Sequence, residues 1–274
     1  MVAIDIIFYI FVFIMGITFG SFFTLAVYRI PINQDITHTR SYCPTCNHPL
    51  SFLDLIPVLS YLALGGKCRY CHAKIRPRYL FLELLSGTVF VLFVMPLKNF
   101  ILNGNSSAIA YWIEGIFYIT GLFLIAGIDK EKKEIRNEVL LYIVITETLY
   151  IIYLYISENL DVYRYVMYLF AIVFLVVANN LYFNKHAKNN YTIQCLILMV
   201  ATIIFTYAPL TILTVIFMLL AIAIYECITI MNKKKFIKQD NIENKGRSLP
   251  IGFFLCVCNI IILIVVNFMA FSIV

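Results

Sequence analysis

The stretch "CPTCNHPLSFLDLIPVLSYLALGGKCRYC", Cys43 to Cys71, sets two Cys-x-x-Cys turns on either side of a 21-residue insert. Each turn can present two thiolates from one tight bend. Together Cys43, Cys46, Cys68 and Cys71 complete a tetrahedral S4 set, the usual way structural zinc is held. Two disulfides, or four idle thiols, are the other readings of the same spacing. His48 and His72 stand beside the turns, but four cysteines already fill a closed site. The stretch lies in a polar segment of about fifty residues, 29–78, too short to bury much core. A bound metal would supply folding energy that such a segment lacks.

Outward from this segment the chain is apolar. Of its 274 residues 62% are hydrophobic and 13% charged, where soluble chains run at about 45–50% and about 25%. Repeated apolar runs match a bilayer core of about 30 Å. They predict spans at 4–28, 79–96, 107–128, 138–157, 163–183, 193–207, 209–230 and 250–272. The expected fold is therefore all-α: a polytopic membrane protein of about eight transmembrane helices, with a small cysteine-knuckle loop domain after the first. The domain organisation reads as a first helix (1–28), a knuckle domain (29–78) and a seven-helix membrane domain (79–274). The first run has no basic n-region and no small-residue cleavage site, so it reads as a retained helix rather than a signal peptide.

Lysine and arginine set the expected orientation. All 21 except Lys98 and Arg164 fall in the loops after spans one, three, five and seven, or at their edges. Those loops are expected in the cytoplasm, with both termini outside. A cytoplasmic knuckle domain sits in a reducing compartment, which disfavours disulfides and favours zinc. The net charge of +6 follows from topology and anionic lipid head groups, so a nucleic-acid partner need not be invoked. Cys195, Cys227, Cys256 and Cys258 lack Cys-x-x-Cys spacing and read as small packing residues in or beside spans.

The flanks of the knuckles carry a family resemblance. "GSFFTLAVYRIP" (Gly20–Pro31) followed by "RSYCPTCNHPLSFLDLIPVLSYLALGGKCRYCHAKIRPRYLFLELLSG" (Arg40–Gly87) resembles the type IV prepilin leader peptidases. In that family a first helix ends in a G-S-F…Y-R-x-P pattern. D-L-I-P-V-L-S-Y-L lies between the knuckles, and a second helix carries E-L-L-x-G. "SLPIGFFLC" (Ser248–Cys256) resembles the family's approach to its last helix. The resemblance implies a polytopic aspartic endopeptidase of the bacterial inner membrane, its active face cytoplasmic. Such an enzyme cleaves basic leaders from type IV prepilins and pseudopilins. In many members it then N-methylates the product with S-adenosylmethionine, a function associated with the knuckle loop.

The family's first catalytic aspartate stands in a D-x5-[IL]-P-[DN] context. Here "GIDKEKKEIRNEV" (Gly127–Val139) supplies Asp129, Ile135 and Asn137, with Arg136 in place of proline. Asp129 is expected at the end of its helix, solvated enough to ionise. An aspartic peptidase needs a second carboxylate, because one acts as base while a protonated neighbour donates to the carbonyl. The family's second acid comes from G-x-G-D-x-K-[LF]. In "KHAKNNYTIQCLILM" (Lys185–Met199) the matching position is Thr192, and the sequence contains no G-x-G-D. Glu83, Glu114, Glu147 and Glu226 lie within apolar spans, with Glu134 and Glu138 beside Asp129. Glu226, about one turn from the cytoplasmic end of span seven, is the first candidate substitute acid. Two other readings stay open: a member that has lost proteolysis but keeps methylation or substrate binding, and a non-enzymatic scaffold for pilus or competence assembly.

Overall fold

The structure, a computed structural model, describes residues 2–36, 38, 40–157, 166–167, 170–171, 173–174, 177, 194–195, 197–198, 213–214, 216–225 and 250–271. Its elements are α1 (Val2–Arg29), α2 (Leu59–Ala63), α3 (Arg78–Val94), α4 (Lys98–Leu102), α5 (Ser106–Lys132), α6 (Asn137–Ile156) and α7 (Ile251–Phe271). Among the described residues there is no strand, only the isolated bridges Tyr42–Pro49 and Lys67–Lys74. Among the described residues five helical stretches are long and apolar enough to cross a membrane: Ala3–Ile32, Arg78–Leu102, Ser106–Lys132, Asn137–Ile156 and Ile251–Ala270. They correspond to spans one to four and eight of the sequence reading. Spans five to seven fall largely outside the described residues, although Ile216–Tyr225, inside span seven, is an apolar helix.

Two boundaries differ from expectation for local reasons. Span two was expected to stop at Pro96, but helical structure continues to Leu102. The proline is absorbed in a 3-10 turn, Met95–Leu97, where its missing N–H costs little. Span three was expected to end at Ile128, yet α5 runs on to Lys132. It stops where Lys133 adopts φ 57° and donates its N–H to the Asp129 carbonyl at 2.9 Å, closing the last turn.

The chain divides into two compact units, Met1–Trp112 with Asn267–Val274, and Ile113–Val266. In the first, α1 and α3 pack through small residues. A Cβ on Gly16 would stand 2.7 Å from the Gly87 Cα, so the two backbones approach as closely as small-xxx-small pairs allow. The Ser86 hydroxyl donates to the Gly16 carbonyl at 2.7 Å. Lys98, one of the two basic residues outside the loop pattern, pairs with Asp5 at 2.9 Å. Arg29, at the end of α1, is buried and donates to the carbonyls of Asp35 and Arg40, gathering the start of the polar segment.

In the second unit α5, α6 and α7 pack together. A Cβ on Gly121 would collide with the Ile143 side chain. The Tyr142 hydroxyl donates to the Phe117 carbonyl at 3.2 Å, and that of Tyr118 to Asn259 Oδ1 at 3.2 Å.

Candidate active site and metal centre

The two cysteine turns have the same build. Asn47 and His72, each directly after the second cysteine of its pair, both adopt φ 57°. Their N–H groups donate to the carbonyls of Cys43 and Cys68 at 2.8 and 3.0 Å. Each bend thereby turns both of its thiols the same way. All four Sγ atoms lie within 4.8 Å of one another, and Cys43 Sγ stands 3.8 Å from Cys71 Sγ. A tetrahedron with metal–sulfur bonds of about 2.3 Å has edges of about 3.8 Å. A disulfide would bring two sulfurs to about 2.0 Å, and the four cysteines are free. The cluster could hold a metal ion.

Its electrostatics would suit one. The Cys46 backbone N–H leads in lowering the Cys43 thiol to about 6, against its burial. Cys71 is pushed up to about 11: the Ala73 N–H favours its thiolate, but burial and the three neighbouring thiols oppose it. Four thiolates in one small volume need a cation at their centre. His48 packs against Tyr70, the ring planes tilted by 39° with centroids 3.6 Å apart, and His72 is exposed. Among the described residues the metal-competent group consists of the four cysteines.

Asp54 braces the second turn. Arg69 donates to it at 2.6 Å, and the Ser51 hydroxyl and N–H donate at 2.7 and 3.0 Å. Burial alone would raise the Asp54 carboxyl, but Ser51 and Arg69 hold it at about 2, below the ordinary 3.8. A lowered folded-state value contributes stability that is complete above the ordinary value and is lost as pH falls through about 2. Between pH 4 and 2, protease resistance of the knuckle segment should therefore fall more steeply in the unaltered protein than in Asp54→Asn. Equal slopes would contradict this role.

Asp129 stands in the last turn of α5, at the end of its helix as expected, but it is 0% exposed rather than solvated. The Phe253 N–H, third residue of α7, donates to Asp129 Oδ2 at 2.8 Å. The first N–H groups of a helix have no partner within it and carry its positive dipole end. The Asp129 carboxylate therefore caps α7 from a neighbouring helix. Pro250 precedes this helix start, and Gly252 leaves room for the carboxylate: a Cβ there would stand 3.2 Å from Asp129 Oδ2 and 3.0 Å from Ile135 Cδ1. Gly252→Val should displace Asp129 and lower any Asp129-dependent turnover at least tenfold, with Gly252→Ala intermediate. Unchanged turnover in Gly252→Val would contradict the packing.

Arg136, in place of the family's proline, is the extended residue before α6 (φ −86°, ψ 131°) and pairs with Glu138 at 3.2 Å. That conformation does not require proline. Gln194 is buried and donates to Asn137 Oδ1 at 2.8 Å, so the start of span six meets the Asp129–Asn137 segment. Thr192 and Glu226 lie outside the described residues. Glu114 and Glu147 are buried but are not brought to Asp129. Glu114 is about 22 Å away along α5, and Glu147 lies about 15 Å into α6, at about 1.5 Å per residue. The Phe253 N–H, Gly252 and the Gln194–Asn137 pair escaped the sequence reading. The only available signal was the Pro-x-Gly of "SLPIGFF".

Comparison with known proteins bears on the N-terminal part of the chain. Residues 14–97, holding most of α1, both cysteine turns and α3, match the family model described as Bacterial Peptidase A24 N-terminal domain. Three similar curated proteins each bear the name prepilin leader peptidase/N-methyltransferase. That of Myxococcus xanthus is 43% identical over 83 residues, 30% of this chain and 25% of the relative. The Klebsiella pneumoniae protein is 39% identical over 88 residues, covering 30% and 39%. The Vibrio cholerae protein is 40% identical over 79 residues, covering 26% and 31%. The chain thus spans between 25% and 39% of the length of these relatives. No solved structure gives a significant match.

Proposed function

We propose that this chain is a membrane enzyme of the prepilin leader peptidase/N-methyltransferase kind. It removes the short basic leader of a type IV prepilin or pseudopilin at the cytoplasmic face of the bacterial inner membrane, then methylates the new N-terminus. The observation that carries the reading is the match of residues 14–97 to the A24 N-terminal domain, reinforced by relatives that share one name. The knuckle domain, held by zinc on Cys43, Cys46, Cys68 and Cys71, faces the cytoplasm with both termini on the other side. S-adenosylmethionine supplies the methyl group when bound.

For the peptidase step Asp129 is the first carboxylate. It is fixed on the start of α7 by the Phe253 N–H, so its orientation does not depend on substrate. It acts with a second acid, for which Glu226 is the first candidate and Thr192 marks the family's position. Water adds to the scissile carbonyl as one carboxylate takes its proton and the other donates to the carbonyl oxygen. Collapse of the adduct then breaks the C–N bond, with a proton passing to the departing amine.

The test compares the unaltered protein with Asp129→Ala, Glu226→Gln and Thr192→Asp in membranes carrying a cognate prepilin. Leader cleavage that is lost in Asp129→Ala and Glu226→Gln supports this pair. Cleavage gained only in Thr192→Asp, with methylation of a pre-cleaved pilin intact throughout, would replace the reading by a methyltransferase without a working peptidase.

A further inference from the structure

Between the two cysteine turns lies a run no part of the proposed chemistry uses. Phe52, Leu53, Leu55, Leu59 and Leu62 are all exposed, Phe52 at 82% and Leu59 at 63%. An aqueous domain seldom shows five large apolar side chains so close together. At the centre of this run Val58 adopts φ 63°, ψ −53°. The Leu59 N–H donates to the Pro57 carbonyl at 2.6 Å, which makes Pro57–Leu59 a γ-turn of the rare, strained hand. A β-branched residue in that region is an outlier that survives only where its surroundings impose it.

What imposes it is a residue of the membrane helix. The Val58 N–H donates to Glu83 Oε2 at 2.7 Å. Glu83 is buried and lies five residues into the Arg78–Leu102 span, about 7–8 Å along the helix from its start. That span has 25 residues and is about 37 Å long, against a hydrocarbon core of about 30 Å, so Glu83 falls near the hydrocarbon edge. Val58 is held at the same depth. At that depth no bulk water satisfies a backbone N–H, and the Glu83 carboxylate provides the acceptor.

We propose that the segment Leu55–Leu62 is an interfacial insertion: it lies in the cytoplasmic leaflet of the chain's own bilayer, pinned by the Val58–Glu83 hydrogen bond, with Leu59 and Leu62 among the lipid tails. Phe81, Leu82 and Leu85, in the first turns of α3, are also exposed apolar side chains at this end of the span. Lys67, Lys74 and Arg76 are exposed on the same polar segment, where they complement anionic head groups. The insertion fixes the metal-binding turns against the membrane surface, where the N-terminus of a membrane-anchored substrate emerges. The inference rests on the reading of α3 as a membrane span, and the experiment checks that separately.

Trp112 is the sole tryptophan, and its indole N–H makes no hydrogen bond, so Trp112→Phe provides a silent background. In that background Leu59→Trp, Leu62→Trp and Leu85→Trp are each reconstituted into phosphatidylethanolamine/phosphatidylglycerol vesicles containing phosphatidylcholine brominated near the head-group end of its chains. Leu59→Trp and Leu62→Trp should lose most of their emission to the brominated lipid and little to aqueous acrylamide. Adding Glu83→Ala to Leu59→Trp should reverse that preference. Quenching of Leu85→Trp but not of Leu59→Trp or Leu62→Trp by the lipid would overturn the insertion while leaving the span intact. Quenching by acrylamide that a prepilin peptide relieves would overturn it too, assigning the face to substrate. Failure of the lipid to quench Leu85→Trp would overturn the span reading itself.

Discussion

Asp129→Asn abolishes leader cleavage without loosening the last helix, whereas Asp129→Ala abolishes cleavage and loosens it as well. This is the expected pattern because the proposed function gives the carboxylate two separable jobs. As an acid–base group its loss costs on the order of 10²–10⁴ in rate, and more if a paired carboxyl is left alone. As a cap it accepts the Phe253 N–H at 2.8 Å. An asparagine oxygen can accept the same bond, since Asn and Asp cap comparably, but alanine cannot, at a cost of about 0.5–2 kcal/mol. Initial cleavage rates in proteoliposomes and thermal unfolding of the purified variants read the two effects independently. An Asp129→Asn protein that cleaves at the ordinary rate would remove Asp129 from the chemistry.

The second large effect concerns the metal. Purified protein should carry one zinc per chain, and Cys43→Ser or Cys68→Ser should carry none. Metal affinity in such sites, about 10–16 kcal/mol, is folding free energy, and the knuckle segment has little core to replace it. Chelation or either substitution should expose the segment to trypsin at its arginines and lysines. The α1–α3 pair should remain folded, because its close approach at Gly16 and Gly87 and the Ser86–Gly16 hydrogen bond do not involve the metal. A metal-free protein with an undiminished, protease-resistant knuckle segment would contradict a structural role for zinc. So would a metal bound away from the four thiols.

The parts legible in the sequence are those fixed by local periodicity and spacing. Long apolar runs located the five described spans to within about six residues at their ends, because helix length is set by the bilayer and not by distant contacts. Cys-x-x-Cys spacing brought out the thiol cluster for a similar reason: each pair is already local, and only one long-range meeting remains. Asp129 was singled out by its context, but its surroundings were misjudged: it is buried rather than solvated. Nothing in "GIDKEKKEIRNEV" says that α7 begins against it, because that contact joins residues far apart in the chain. The same holds for Val58. Its strained turn depends on Glu83, 25 positions later, and the intervening residues carry no local signal for φ 63°. Glu83, Glu114 and Glu147 looked alike in sequence as acids within apolar runs. Structure separates them: Glu83 accepts the Val58 backbone N–H, while Glu114 and Glu147 are buried along α5 and α6.

The most direct test of the account is the mass of a cognate pilin's N-terminus after incubation with the purified full-length protein, zinc-loaded, in proteoliposomes with S-adenosylmethionine. The account predicts a product that has lost its leader and gained one methyl group, with both changes absent when the protein is omitted. A prepilin recovered with its leader intact, together with a pre-cleaved pilin recovered unmethylated, would contradict it.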